Sequence, residues 1–222
     1  MKQRILAFSS SRVATGGYLE KAAPEIGSFL GSARQTIAFV PFASVDDYED
    51  YTEKVKQGLQ WLPHTINTVT INNAKQVIEN SDAIMIGGGN TFKLLHDLYE
   101  AGVMELIKEK VHAGTPYIGW SAGSNLTGPT ICTTNDMPII EPKTFSAFHF
   151  FSFQINPHYH NIVMEGFHGE TRDQRLQEFL KLNPSKQILC LPEGTFIKSL
   201  EGETIFSGSA SGVLMHHKNG EL

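Results

Sequence analysis

Only two cysteines occur in the 222 residues, Cys132 and Cys190, and they lie far apart. That scarcity excludes a disulfide framework and fits no metal-ligand spacing. Both are expected to be reduced, buried thiols of a cytoplasmic protein. Long apolar runs are missing too, with no stretch reaching the roughly 18–20 residues that a membrane helix requires. The start, Met1-Lys2-Gln3-Arg4-Ile5-Leu6-Ala7-Phe8, is basic, but its apolar run is too short for a signal peptide and reads as a first strand. No long basic run exists, and the net charge is −5 with a sequence pI near 6.0, so nucleic acid is a poor partner. Phosphate-binding patterns are absent as well. No Gly-Lys-Ser/Thr follows the glycine triplet at 87–89, and no G-x-G-x-x-G is followed by an acidic residue. Neither a membrane, a nucleic acid nor a cofactor is expected.

What is present is globular: 41% hydrophobic and 18% charged residues, which excludes disorder. The length suits one α/β domain over 1–222. Strands are expected at 4–9, 36–40, 68–71, 83–86, 116–118 and 187–191. Helices are expected near 18–30, with Pro24 weakening the middle, and at 45–62, 73–79, 92–100, 102–112 and 171–182. Alternating strands and helices argue for a mostly parallel, doubly wound sheet with helices on both faces. A further short strand is expected at 129–134. Residues 148–155 are aromatic-rich and end at Asn156-Pro157-His158. Segments near 195–199, 203–206 and 212–216 are expected to form a small antiparallel meander.

The candidate chemistry centres on Gly119-Trp120-Ser121-Ala122-Gly123, between an apolar strand and the first turn of a helix. Strand, sharp turn, helix is the context in which G-x-S-x-G exposes a nucleophilic serine, and the Ala122 N–H lies beside it as an oxyanion donor. Serine needs a base, and His158, after a proline-stiffened turn, is the best placed of nine histidines; His160 and His168 are close to it. The base needs an acid to orient it. Asp136, on a loop held by Pro138, is the first choice, and Glu193, at a strand end on the same edge, is the rival. Gly88 or Gly89 supplies a second N–H to the oxyanion, with a bare tight turn as the plainer alternative. Asn90 next to them is a substrate-binding candidate. Arg172 or Arg175 suits an anionic substrate group through a bidentate fork, though for Arg175 a solvated helix face is the simpler reading.

Six blocks carry a family resemblance: Gly-Gly-Gly-Asn-Thr-Phe at 87–92, Tyr-Ile-Gly-Trp-Ser-Ala-Gly at 117–123, Thr-Thr-Asn-Asp-Met-Pro-Ile at 133–139, Ile-Asn-Pro-His at 155–158, Gly-Glu-Thr-Arg at 169–172 and Leu-Pro-Glu-Gly at 191–194. In this order they resemble the peptidase E (α-aspartyl dipeptidase) family, which has the class I glutamine amidotransferase-like fold. The resemblance implies a cytoplasmic, metal-independent hydrolase of dipeptides with an N-terminal aspartate. It implies a catalytic set of Ser121, His158 and Asp136, with a role for Glu193 near the histidine left open. It also implies that Arg172 binds the substrate aspartate, with Glu170 or Glu193 meeting the free amine. Ser124 and Tyr159-His160 depart from the family pattern, where alanine and phenylalanine are expected. The rivals are a cyanophycinase-like hydrolase of aspartyl-arginine polymer and a non-catalytic binding protein.

Overall fold

A computed structural model describes residues 3–162, 166 and 168–217. Met1 and Lys2, part of the first segment read above, lie outside the described residues. Ten strands are present among the described residues: β1 (Ile5–Phe8), β2 (Thr36–Val40), β3 (Thr65–Thr68), β4 (Ala83–Ile86), β5 (Tyr117–Trp120), β6 (Gln154–Asn156), β7 (Gln187–Cys190), β8 (Thr195–Leu200), β9 (Glu203–Gly208) and β10 (Val213–His216). The helices are α1 (Ala23–Leu30), α2 (Tyr48–Gly58), α3 (Ala74–Glu79), α4 (Thr91–Glu100), α5 (Met104–His112), α6 (Ala122–Asn125) and α7 (Arg172–Leu182). Seven strands form one sheet in the order β3-β2-β4-β5-β1-β8-β9, and three form another, β10-β7-β6. The first five strands of the large sheet run parallel, and β8 and β9 are antiparallel.

The strands β1, β2, β4 and β5 are apolar apart from Thr36 at the start of β2, because both faces are covered. Side chains alternate between faces along each strand. Leu6, Ile37, Phe39 and Ile118 pack with α1 and α2, whereas Ile5, Ala38, Ile84 and Tyr117 pack with α3, α4 and α5. Because β4 and β5 are parallel neighbours, with Ile86 opposite Gly119, their carboxyl ends open side by side at one edge. No helix among the described residues is long and apolar enough to cross a membrane.

Several local expectations are corrected. Pro24 sits in the first turn of α1, where its missing N–H leaves no bond unmade, so it starts the helix rather than weakening it. Helix α2 begins only after Asp47, whose carboxylate accepts from the N–H groups of Glu49 (2.8 Å) and Asp50 (3.0 Å). Val45, expected inside that helix, is 70% exposed. Strand β3 lies at 65–68, not 68–71. It is an edge strand, so only alternate residues such as Ile66 are buried and no continuous apolar run marks it. No strand forms over 129–134, where a single bridge joins Thr130 to Ser146. In the aromatic-rich stretch only its end becomes strand β6; Phe148 and Phe150 instead stack on each other and pack edge-on against Tyr117. The three C-terminal strands part company. β8 and β9 pair as expected, but β10 crosses to pair with β7 in the small sheet.

Cys132 is exposed, against expectation, and Cys190 is buried. Burial, with the Asp173 carboxylate adding to it, pushes the Cys190 thiol up to about 12. Iodoacetamide near neutral pH is therefore expected to alkylate Cys132 in the native protein and Cys190 only after unfolding, read as one and then two mass increments. Modification of Cys190 in the folded state would contradict this.

Candidate active site

Ser121 stands between the last residue of β5 and the first of α6, at φ 53° and ψ −114°. An L-residue adopts this region only when its surroundings impose it. They do so here. The Ser121 N–H donates to the Phe8 carbonyl (3.2 Å), and its own carbonyl accepts from Ser124 and Asn125. A Cβ on Gly123 would come within 2.3 Å of the Ile86 carbonyl oxygen, so α6 can approach β4 only with glycine there. The Ser124 hydroxyl, a departure from the family pattern, is buried with the Phe8 carbonyl oxygen at 2.6 Å and that of Gly119 at 3.0 Å. It fastens the turn to β1.

His158, just past β6, also has a positive φ, 52°. Its N–H donates to the Ser9 hydroxyl (2.9 Å), and Ser9 in turn donates to the Leu191 carbonyl (2.8 Å). One buried serine at the end of β1 thus ties the small sheet to the large one at the point where the imidazole emerges. His158 Nε2 lies 2.8 Å from Ser121 Oγ, and Nδ1 lies 3.1 Å from Glu193 Oε1.

The acid in contact with His158 is therefore the rival, Glu193. Asp136, the first choice, directs its carboxylate elsewhere: Oδ2 accepts from the Thr91 N–H (2.7 Å), the Thr91 hydroxyl (2.5 Å) and the Thr134 hydroxyl (3.2 Å). It holds the first turn of α4. The reason lies in strand pairing. β6 and β7 are parallel with Asn156 opposite Cys190, so residues 158 and 193 leave the sheet together at the same end.

The N–H groups of Gly88, Gly89 and Ala122 have no acceptor among the described residues. Gly88 lies against Ser121, and a Cβ on it would be 2.9 Å from the Ser121 Cβ. Gly89 has φ 138°, outside the range of L side chains. Asn90 acts as the cap of α4, its Oδ1 accepting from the Lys93 N–H (3.1 Å) and its Nδ2 donating to the Met137 carbonyl (2.8 Å).

Two lobes meet at Ser121 and His158. The first, about 600 Å³, is lined by Thr91, Asp136, His160, Ile162, Arg172 and Glu193. The second, about 630 Å³, is lined by Arg12, Tyr18, Val45, Tyr51, Asn90 and Ile139 among others. Arg172 opens α7 after a Thr171–Gln174 capping box. Its Nη1 is buried with no hydrogen-bond partner, and burial lowers its pKa. Tyr159, the other departure from the pattern, uses its hydroxyl to donate to Asp173 (2.6 Å), and Asn161 donates to the same carboxylate (2.8 Å). These bonds hold the start of α7 beside the lobe. Glu170 lines neither lobe; its nearest cation is the Arg175 Nε at 3.8 Å. His160 is exposed and His168 makes no contact with Ser121.

The profile of peptidase family S51 matches residues 5–207. The chain belongs to this family. It is accordingly a peptidase. It is 48% identical to peptidase E of Nostoc sp. over 89% of this chain and 83% of that one. It is 45% identical to peptidase E of Haemophilus influenzae over 90% of this chain and 93% of that one. A solved structure from Listeria monocytogenes EGD-e, provisionally called a peptidase E protein, is 25% identical. It superposes with a TM-score of 0.72 over 95% of this chain and 100% of that one. A peptidase from an acI-B1 Actinobacterium, at 14% identity and TM-score 0.64 over 98% of this chain and 95% of that one, shares the fold. In this S51 peptidase, Ser9 and the Tyr51 hydroxyl shape the site without any local motif to announce them. Ser9 reads as the polar end of a strand, and Tyr51 as one more apolar-face residue of a helix.

Proposed function

We propose that this S51 peptidase is a serine dipeptidase that hydrolyses Asp-Xaa dipeptides through an acyl-enzyme on Ser121. The observation that carries the substrate assignment is Arg172, a half-buried guanidinium whose Nη1 is buried and unpaired in the lobe bordered by Ser121 and His158. A buried, unpaired cation is costly, and a substrate carboxylate relieves that cost. Asp136 and Glu193 line the same lobe and give the substrate amine an anionic wall. The second lobe takes the leaving residue.

His158 Nε2 takes the Ser121 hydroxyl proton as the oxygen attacks the peptide carbonyl. Glu193 accepts from Nδ1–H, fixes the tautomer and stabilises the imidazolium. The N–H of Ala122 and that of Gly88 or Gly89 meet the oxyanion. His158 then gives the proton to the departing amine. Water, deprotonated by the same imidazole, cleaves the acyl ester, and the proton returns to Ser121. The thiols of Cys132 and Cys190, free of any disulfide, suit a cytoplasmic setting.

The orienting role of Glu193 is tested with Asp-Leu as substrate. Glu193→Gln is expected to lower kcat by on the order of 10²-fold, less than the ~10⁴ seen when a fully buried triad acid is neutralised, because water reaches this carboxylate. Asp136→Asn is expected to act on stability, since a lost helix cap costs about 0.5–2 kcal/mol, and on KM through the weakened anionic wall, but little on kcat. A turnover defect in Asp136→Asn deeper than that of Glu193→Gln, with the melting temperature unchanged, would reverse the assignment.

A further inference from the structure

The glycine triplet is tighter than a strand-to-helix turn requires. A Cβ on Gly87 would lie 2.6 Å from the Tyr51 hydroxyl oxygen, and one on Gly88 would lie 2.9 Å from the Ser121 Cβ. The triplet is therefore pressed between a helix α2 side chain on one side and the nucleophile on the other. The Tyr51 hydroxyl is 2.9 Å from the Gly88 carbonyl oxygen. A carbonyl only accepts, so Tyr51 donates its one proton there. The Trp120 Nε1–H, which only donates, is 3.1 Å from the same hydroxyl, and the Tyr18 hydroxyl donates to it at 3.0 Å. The donor site and both acceptor sites of the phenol are filled, and the direction of the Trp120 and Gly88 bonds is dictated by chemistry. The ring is buried, edge-on to Phe39 with centroids 5.1 Å apart. Burial raises the Tyr51 pKa, so the group remains a donor at any working pH.

A trans peptide unit is planar, and its C=O and N–H point in opposite directions. Fixing the Gly88 carbonyl on Tyr51 therefore fixes the direction of the Gly89 N–H, which has no acceptor among the described residues. We infer that Tyr51 is a positioning residue for the oxyanion hole: held by Trp120 and Tyr18, its hydroxyl locks the Gly88–Gly89 peptide plane so that the Gly89 N–H is aimed at the acyl oxygen before attack. The inference rests on the serine mechanism above and assigns it a donor, Gly89 rather than Gly88. The hydrogen bond received by the carbonyl also polarises the peptide and strengthens its N–H as a donor. Because Trp120 directly precedes Ser121, one buried chain of bonds joins the end of β5 to the end of β4.

The test uses the rate at which a fluorophosphonate phosphonylates Ser121, which needs an oxyanion hole but no knowledge of the natural substrate. Tyr51→Phe keeps the packed ring and removes only the hydroxyl. It is expected to slow labelling, and kcat for Asp-Leu, by roughly tenfold to a hundredfold, short of the ~10²–10³ for deleting a donor outright. KM and the affinity for the product aspartate should stay near wild-type values, which a general loosening of the fold would not allow. Labelling of Tyr51→Phe at the wild-type rate, or an equal loss in aspartate affinity, overturns the inference while leaving the serine mechanism intact. Absence of Ser121 labelling in the wild type overturns the mechanism and the inference together. Should Tyr51→Phe fail to fold, site-specific replacement of Tyr51 by 3-fluorotyrosine keeps the shape and makes the hydroxyl a stronger donor. Labelling faster than wild type then supports the inference, and labelling at the wild-type rate or slower overturns it.

Discussion

Ser121→Ala is expected to reduce kcat for Asp-Leu by roughly 10⁴- to 10⁶-fold while leaving the protein folded. Losses of this order follow removal of the nucleophile from a serine hydrolase, the residual rate coming from binding and the oxyanion hole. The structure makes the comparison clean. Ser121 Oγ has one hydrogen-bond partner among the described residues, His158 Nε2 at 2.8 Å. Its loss leaves no buried polar atom stranded, because His158 is part-exposed, with 39% of its side chain accessible to water. The bonds that hold the turn run through the Ser121 backbone and the Ser124 hydroxyl, and alanine keeps both. Alanine at φ 53° is no more strained than serine to a first approximation. Purified wild type and variant, assayed side by side with EDTA present, decide the matter. Equal turnover by both would mean a contaminating peptidase or a different nucleophile.

The second large effect concerns substrate choice. Wild-type kcat/KM for Asp-Leu is expected to exceed that for Asn-Leu by about 30-fold to a few thousand-fold, the equivalent of the roughly 2–5 kcal/mol lost when one partner of a buried charge pair is removed. The Arg172 guanidinium already stands partly desolvated, with one amino nitrogen unbonded, so the protein carries the cost before substrate arrives. An aspartyl carboxylate meets the fork with two charge-assisted bonds, whereas the asparagine amide offers one neutral acceptor and turns N–H groups toward a cation. Arg172→Met should collapse the ratio toward one by lowering the Asp-Leu value. Arg172→Lys should restore little, because a point charge cannot reproduce the fork. Equal wild-type rates on the two dipeptides would sink the Arg172 assignment.

How much was legible follows from what each signal depends on. The alternation of apolar strands with amphipathic helices is a local property, and it marked the mostly parallel sheet correctly. Strand β3 escaped because an edge strand shows no continuous apolar run, and β10 because nothing in Val213–His216 says which sheet it joins. The site divides in the same way. Ser121 and His158 announce themselves through glycine and proline turns after strands, and the structure brings them within 2.8 Å. The acid does not announce itself. Asp136 and Glu193 both follow turn-forming residues near the carboxyl edge, and only the parallel pairing of β6 with β7 puts Glu193 beside the imidazole. Asp136 goes instead to the first turn of α4, where the unbonded N–H of Thr91 draws a carboxylate.

The sequence by itself determined a parallel α/β sheet, a serine turn at its carboxyl edge, a histidine able to serve it and an arginine at a helix start. Those features rest on hydrophobic periodicity, turn chemistry and capping, which act over a few residues. Only the tertiary structure decided which acid meets His158, that Ser9 joins the two sheets at that histidine, that Arg172 Nη1 is left buried and unpaired, and that Tyr51 reaches the Gly88 carbonyl across 37 positions of chain. Each of these is a contact between segments distant in sequence. Such contacts are set by strand register and packing, and no local pattern records them.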